Sequence, residues 1–158
     1  MQIIDAIGIS TVTSGRPPRP ELTSSCEISI INNLSEIARV AALVDRFAAD
    51  HKLSNELVVA LQVSLDEVLN NIISYAYDDQ GPHDIVVRLK IKRENIEVSV
   101  SDDGKPFDPV ATLTPDFTSK PRAHGGVGLY FVRNLMDDVI YTRREGINHL
   151  QLTKRLKE

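Results

Sequence analysis

The 158-residue chain has little of what marks several large functional classes. It carries one cysteine, Cys26, so no internal disulfide can form, and a reducing compartment is its natural home. Cys26 opens a strand-like segment and reads as a small buried hydrophobe rather than a reactive thiol. No run of 18 consecutive apolar residues occurs, which argues against a membrane span. The stretch from Met1 to Ser10 has no basic n-region, and its apolar part is too short for a secretory signal. Clustered basic residues are also missing. The net charge is −4, and the run Lys154-Arg155-Leu156-Lys157 is too short to reverse that, so direct binding of nucleic acid is not expected. His83, His124 and His149 show no paired ligand spacing and read as surface or hydrogen-bonded groups. The expectation is a cytoplasmic protein.

What is present suits one folded domain. Hydrophobic content of 42% and charged content of 25% are ordinary for a globular protein. A chain of this length buries roughly 70% of the surface that it exposes unfolded. Residues 1–25, with Gly15, Pro17, Pro18 and Pro20 among scattered Ser and Thr, read as a flexible N-terminal arm. Residues 26–156 read as the domain.

Periodicity orders that domain. A short strand is expected from Cys26 to Ile31. Asn33 and Glu36 have capping-box spacing, and Leu34, Ile37, Ala38, Ala41, Val44 and Phe47 recur at helical intervals, which predicts a helix over 34–51. Ser54 caps a second helix running to about Tyr77, where Asp78-Asp79-Gln80-Gly81-Pro82 breaks it. Strict alternation over 85–92 and 96–101 predicts a hairpin turning near Arg93-Glu94-Asn95. The segment 103–124, with Pro106, Pro109, Pro115 and Pro121, has no useful period, and a structureless stretch that long is usually functional. A helix over 127–136 and a last hairpin turning at Glu145-Gly146 complete the chain. Hairpins dominate over crossovers, so the expected class is α+β: a two-layer sandwich, its sheet mixed but mostly antiparallel, with helices on one face.

Three segments carry chemistry. On the second helix, Glu67, Asn70, Asn71 and Ser74 form a polar stripe opposite a wide apolar arc. A solvated helix face has the same pattern, yet two successive asparagines in mid-helix suggest a use for amide oxygens. Such an oxygen is a hard ligand suited to Mg²⁺, and a neighbouring carboxylate can accept a proton from an attacking hydroxyl. Next, strand parity places Asp102 on the core face with Ile96, Val98 and Val100, where a buried carboxylate needs a donor. The exocyclic amine of adenine would serve, with Gly104 letting the ring approach; a solvated Asp-Gly turn is the plainer alternative. Finally, Gly125-Gly126-Val127-Gly128-Leu129 precedes an apolar helical pattern, so its backbone N–H groups suit phosphate oxygens. No Gly-Lys-Ser/Thr follows it, and no parallel βαβ unit surrounds it.

Taken together, Glu67-x3-Asn71, Asp102-x-Gly104-x-Pro106 and Gly125-Gly126-x-Gly128-Leu129 resemble the N, G1 and G2 boxes of the histidine-kinase-like (Bergerat, or GHKL) ATP-binding superfamily. Within it, the stretches 102–109 and 125–138 resemble the bacterial anti-sigma factor serine/threonine kinases. The resemblance implies ATP and Mg²⁺ as cofactors, Glu67 as general base and Asn71 as the metal-chelating amide. It implies an adenine contact at Asp102 and Gly104, phosphate contacts along Gly126, Val127, Gly128 and Leu129, and a lid over ATP at about 105–124. As partners it implies a sigma factor and a small STAS-type anti-sigma-antagonist that is phosphorylated on Ser or Thr, often with a homodimeric kinase. Pro106 departs from the pattern, standing where many members have a second glycine, which bears on the lid's hinge.

Other readings compete. A non-catalytic, ATP-gated partner-switching module would need no base, and Glu67 is present. A histidine kinase fragment needs an acceptor histidine on an upstream helical hairpin, whereas only His51 precedes the N box. The ATPase domains of topoisomerases and chaperones need large coupling domains.

Overall fold

Five strands and three α-helices follow one another in a computed structural model that describes residues 24–108 and 126–156. Strand β1 (Ser24–Ile31) leads through a 3-10 turn at Leu34–Glu36 into α1 (Ile37–His51) and α2 (Asn55–Tyr75). The hairpin β2 (Asp84–Lys92) and β3 (Asn95–Asp102) comes next, then α3 (Gly126–Leu135), then β4 (Asp138–Arg144) and β5 (Ile147–Arg155). The succession is the one the periodicity predicts. The expected arm at 1–25 lies outside the described residues except for Ser24 and Ser25, which already belong to β1.

The sheet order is β1-β2-β3-β5-β4, and all four pairings are antiparallel. The expected mostly antiparallel sheet is found, with no parallel pair among the described strands. Both two-residue turns use positive φ. Arg93 reaches 55°, and Glu145 and Gly146 reach 51° and 81°, the left-handed pair that matches strand twist in a tight hairpin.

One sheet face is oily. Ile85, Val87 and Leu89 of β2, Val98 and Val100 of β3, and Leu150 and Leu152 of β5 are buried against the helices. The opposite face carries Arg88, Ser99 and Gln151 among others, partly or fully exposed. Helix α2 is the centrepiece, burying Leu57, Leu61, Leu65, Val68 and Leu69 between sheet and neighbouring helices. Each such Leu contributes roughly 1.5–3 kcal/mol by leaving water. By length and composition α2 would also pass for a membrane span, with a mean hydropathy of 1.3 over its best 18 residues. Its apolar content is accounted for by its place in the core, and Asp66 and Glu67 interrupt it.

Caps follow the sequence in part. Ser54 Oγ accepts the Leu57 N–H at 3.3 Å as expected of an N-cap. The expected capping box does not form. Asn33 Oδ1 accepts the Ser35 N–H at 3.0 Å, while Glu36 turns away to pair with Arg39, and the Asn33 N–H bonds Ile31 O instead. The 3-10 start of the helix shifts the register that a reciprocal box requires. Cys26 is half-buried against the core, and burial pushes its thiol pKa up, as suits an inert residue.

Candidate functional site

Strand parity carries Asp102 to the core face at the last residue of β3, where it is 6% exposed. Its Oδ1 accepts two N–H groups at 2.9 Å, one from the Gly104 backbone and one from the Asn148 side chain. Burial raises its pKa above the usual carboxylate range, and those two hydrogen bonds work in the opposite direction. Asn148 is Asp102's direct partner in the β3–β5 register. The donor that a buried carboxylate demands is therefore partly supplied from within the chain.

Asp102 forms one wall of a cleft of about 230 Å³. Val68, Asn71 and Ile72 of α2 face it, with Leu129 of α3, the segment 105–107 and Asn148 completing the walls. The lining is largely apolar with a few convergent polar groups, the general character of a small-molecule site. Asn71 and Asp102 thus share one cavity, although 31 positions separate them in the chain. Phe107 lies half-buried against the core at the cleft's edge. The rest of the expected lid, from 109 onward, lies outside the described residues.

The two mid-helix asparagines are back-bonded. Asn71 Nδ2 donates to the Glu67 carbonyl, and Asn70 Nδ2 to the Asp66 carbonyl, both at 2.8 Å. With its NH₂ held by the helix, Asn71 presents its oxygen as the outward end. No group of three or more His, Cys, Asp or Glu able to hold a metal occurs among the described residues. A cation held here would therefore take one amide oxygen from the chain and its other oxygens from ligand and water. That donor set fits Mg²⁺.

Glu67 lies one turn before Asn71 and does not line the cleft. Its carboxylate lies against the first turns of α3 instead. A Cβ at Gly128 would stand 1.8 Å from Glu67 Oε2, so only glycine permits this approach. Gly126 and Val127 form the first turn of α3, and Leu129, 4% exposed, turns back into the core and cleft. The residues expected from sequence thus split into a base-sized cleft at Asp102 and Asn71 and a carboxylate beside the glycine turn.

Gly104 has a reason for being glycine that the sequence did not show. A Cβ there would come within 2.5 Å of Ala76 Cβ and 2.9 Å of Ala76 O, because this loop packs onto the end of α2. Lys105 N donates to the same Ala76 carbonyl at 2.8 Å.

Three polar residues were missed. Asn148 is 5% exposed, and its Oδ1 accepts Tyr141 Oη at 2.7 Å and Arg143 Nη1 at 2.6 Å. Arg143 also bonds Gly104 O at 2.9 Å. One signal was available: Asn148, Leu150 and Leu152 share the buried face of β5, and a polar residue in that register asks for partners.

The family model described as a histidine kinase-like ATPase domain matches residues 30–154. The serine/threonine-protein kinase BtrW of Bordetella bronchiseptica is 35% identical over 114 residues, spanning 71% of this chain and 76% of that protein. The serine-protein kinase RsbW of Bacillus subtilis is 28% identical, and the match covers 61% of this chain and 63% of the relative. RsbW of Listeria monocytogenes is 28% identical over 93% of this chain and 88% of its own. Among solved structures, the RsbU and RsbW domains of a Mycobacterium tuberculosis protein align with a TM-score of 0.61 at 19% identity. That match covers 85% of this chain and 33% of the other, a likeness of fold.

Proposed function

This chain belongs to the histidine kinase-like ATPase domain family, and on that premise we infer that it is an ATP-dependent serine/threonine protein kinase of the anti-sigma factor type. In this reading it binds a sigma factor in the cytoplasm and phosphorylates a Ser or Thr hydroxyl of a STAS-type antagonist. The observation that carries the reading is the shared cleft of Asn71 and Asp102, with Glu67 set beside the glycine turn that opens α3.

Each residue then has a task. Asp102 accepts the exocyclic amine of adenine at the inner end of the cleft. The apolar walls at Val68, Ile72 and Leu129 cover the ring. Backbone N–H groups in the turn Gly126-Val127-Gly128 are unsatisfied by the helix itself and suit phosphate oxygens, aided by the positive helix end. Asn71 Oδ1 would hold Mg²⁺, which when bound neutralises phosphate charge. Glu67 takes the proton from the acceptor hydroxyl as its oxygen attacks. Positioning and charge stabilisation carry most of the catalysis of phosphoryl transfer, and a base adds roughly 10²- to 10⁴-fold.

The test is incubation with labelled ATP and the cognate STAS protein. Label on a Ser or Thr of that protein, abolished by Glu67→Gln with ATP binding retained, is the expected result. Complex formation without transfer by the native chain would instead favour a binding-only switch.

A further inference from the structure

We propose that Asn148 is a positioning residue for nucleobase selection, holding Asp102 so that the kinase discriminates adenine from guanine. The inference rests on the kinase reading above and deepens its account of the base site.

The orientation of Asn148 is fixed by its surroundings. Its Oδ1 receives the Tyr141 hydroxyl and an Arg143 guanidinium N–H. Its Nδ2 faces three acceptors: Asp102 Oδ1 at 2.9 Å, Lys105 O at 3.1 Å and Gly104 O at 3.2 Å. Flipping the amide would set an NH₂ against an arginine that cannot accept and an oxygen against a carboxylate. The amide therefore stays as drawn.

The consequence falls on Asp102. Among the described residues both its donors converge on Oδ1, which leaves Oδ2 as the oxygen open to a ligand. Adenine presents an amine donor there, whereas guanine presents a carbonyl oxygen in the same place. Against guanine a carboxylate must either turn away or take up a proton and become a donor. Asn148 and Gly104 N oppose both escapes: they pin Oδ1, and donated hydrogen bonds favour the ionised form. Other charged or titratable groups near Asp102 are Asp103, Arg143, Tyr77, Tyr141 and Lys105. Arg143 acts with Asn148 in favouring ionisation, and Asp103 acts against it.

A purely structural Asn148 would brace the final hairpin without affecting base choice. The experiment separates the two. Binding of ATP and GTP to the full chain is measured by calorimetry from pH 5 to 8, for the native protein, Asn148→Ala, Asp102→Asn and the double variant. Asn148→Ala should lose about tenfold in ATP affinity, the scale of one charged hydrogen bond, and lose less for GTP. Its acid limb for ATP should move to higher pH, and in turnover KM for ATP should rise with kcat held. In the Asp102→Asn background the same substitution should cost little more, because it acts through that carboxylate. If Asn148→Ala fails to fold, Tyr141→Phe should shift the ATP/GTP ratio in the same direction by a smaller factor. An unchanged ratio and acid limb in the folded variants, or losses that simply add, would overturn the proposal while leaving the kinase reading intact. A native chain that binds neither nucleotide would remove both.

Discussion

Glu67 and Gly128 fit as tongue and groove: the carboxylate of one occupies the volume where any other residue at 128 would place its first side-chain carbon. Helices α2 and α3 meet closely at this point. On the proposed reading, the oxygen that packs against Gly128 is also the one that takes the proton.

A methyl group at 128 meets only the tip of a flexible side chain, so Gly128→Ala should displace Glu67 rather than unfold the protein. The melting temperature should fall little. Phosphoryl transfer should fall on the order of 10²-fold, as for a reacting group misplaced by an ångström. Thermal melts and labelled transfer on the same preparation check this, and a large loss of stability with normal specific activity would contradict it.

Gly104→Ala should act in the opposite sense. Its new methyl would meet Ala76 Cβ, Asp102 Oδ1 and the Ala76 carbonyl, backbone included, so the loop and the end of α2 must part. A destabilisation of about 1–3 kcal/mol is expected, as for other overpacked sites. Adding Ala76→Gly removes one of the three clashes and should restore part of the loss in urea melts.

Acidification should weaken nucleotide binding before it reaches the ordinary aspartate range. Burial raises the Asp102 pKa, and the ionised form is the stronger acceptor for an amine. For folding the sign reverses. A carboxyl whose folded pKa lies above its unfolded one favours the native state most below the unfolded pKa, and that contribution is lost as pH rises through the folded value. Asp102→Asn should therefore flatten both dependences and weaken ATP at neutral pH by roughly tenfold or more.

His83 stacks on Tyr77 with ring centroids 4.1 Å apart, and its two nitrogens meet Asp79 and Asp103. The hydrogen bond to Asp79 raises its pKa, and the same contact lowers that of Asp79. The stabilising contribution of His83 is complete below the ordinary histidine range and vanishes as pH climbs through its raised value. Proton NMR should find His83 titrating above 6.5, the usual free value, and Asp79→Asn should bring it down. A titration at or below the free value in the native chain would refute the pairing.

The order of elements was legible because it depends on local period. Ile85, Val87 and Leu89 alternate and all three are buried, whereas of the residues expected at helical spacing only Val44 and Phe47 are buried and Leu34 is 54% exposed. The inward aim of Asp102 followed from the same parity. What stayed hidden was lateral. Nothing in the sequence around residue 148 states that β5 lies between β3 and β4, so the Asn148–Asp102 bond could not be foreseen. The sequence also hid that a side chain at Gly104 would clash with Ala76, 28 positions earlier, and with Asp102 Oδ1. The capping box failed for a local reason, because the intervening turn is 3-10 and Glu36 found Arg39 first.

Because β5 is threaded between β3 and β4, Asp102 is braced by a side chain that is made well after it in the chain. A nascent chain released short of residue 148 would own Glu67, Asn71 and Asp102, yet lack the amide that steadies Asp102. On the proposed reading, the base site would then be complete only once β5 has joined the sheet.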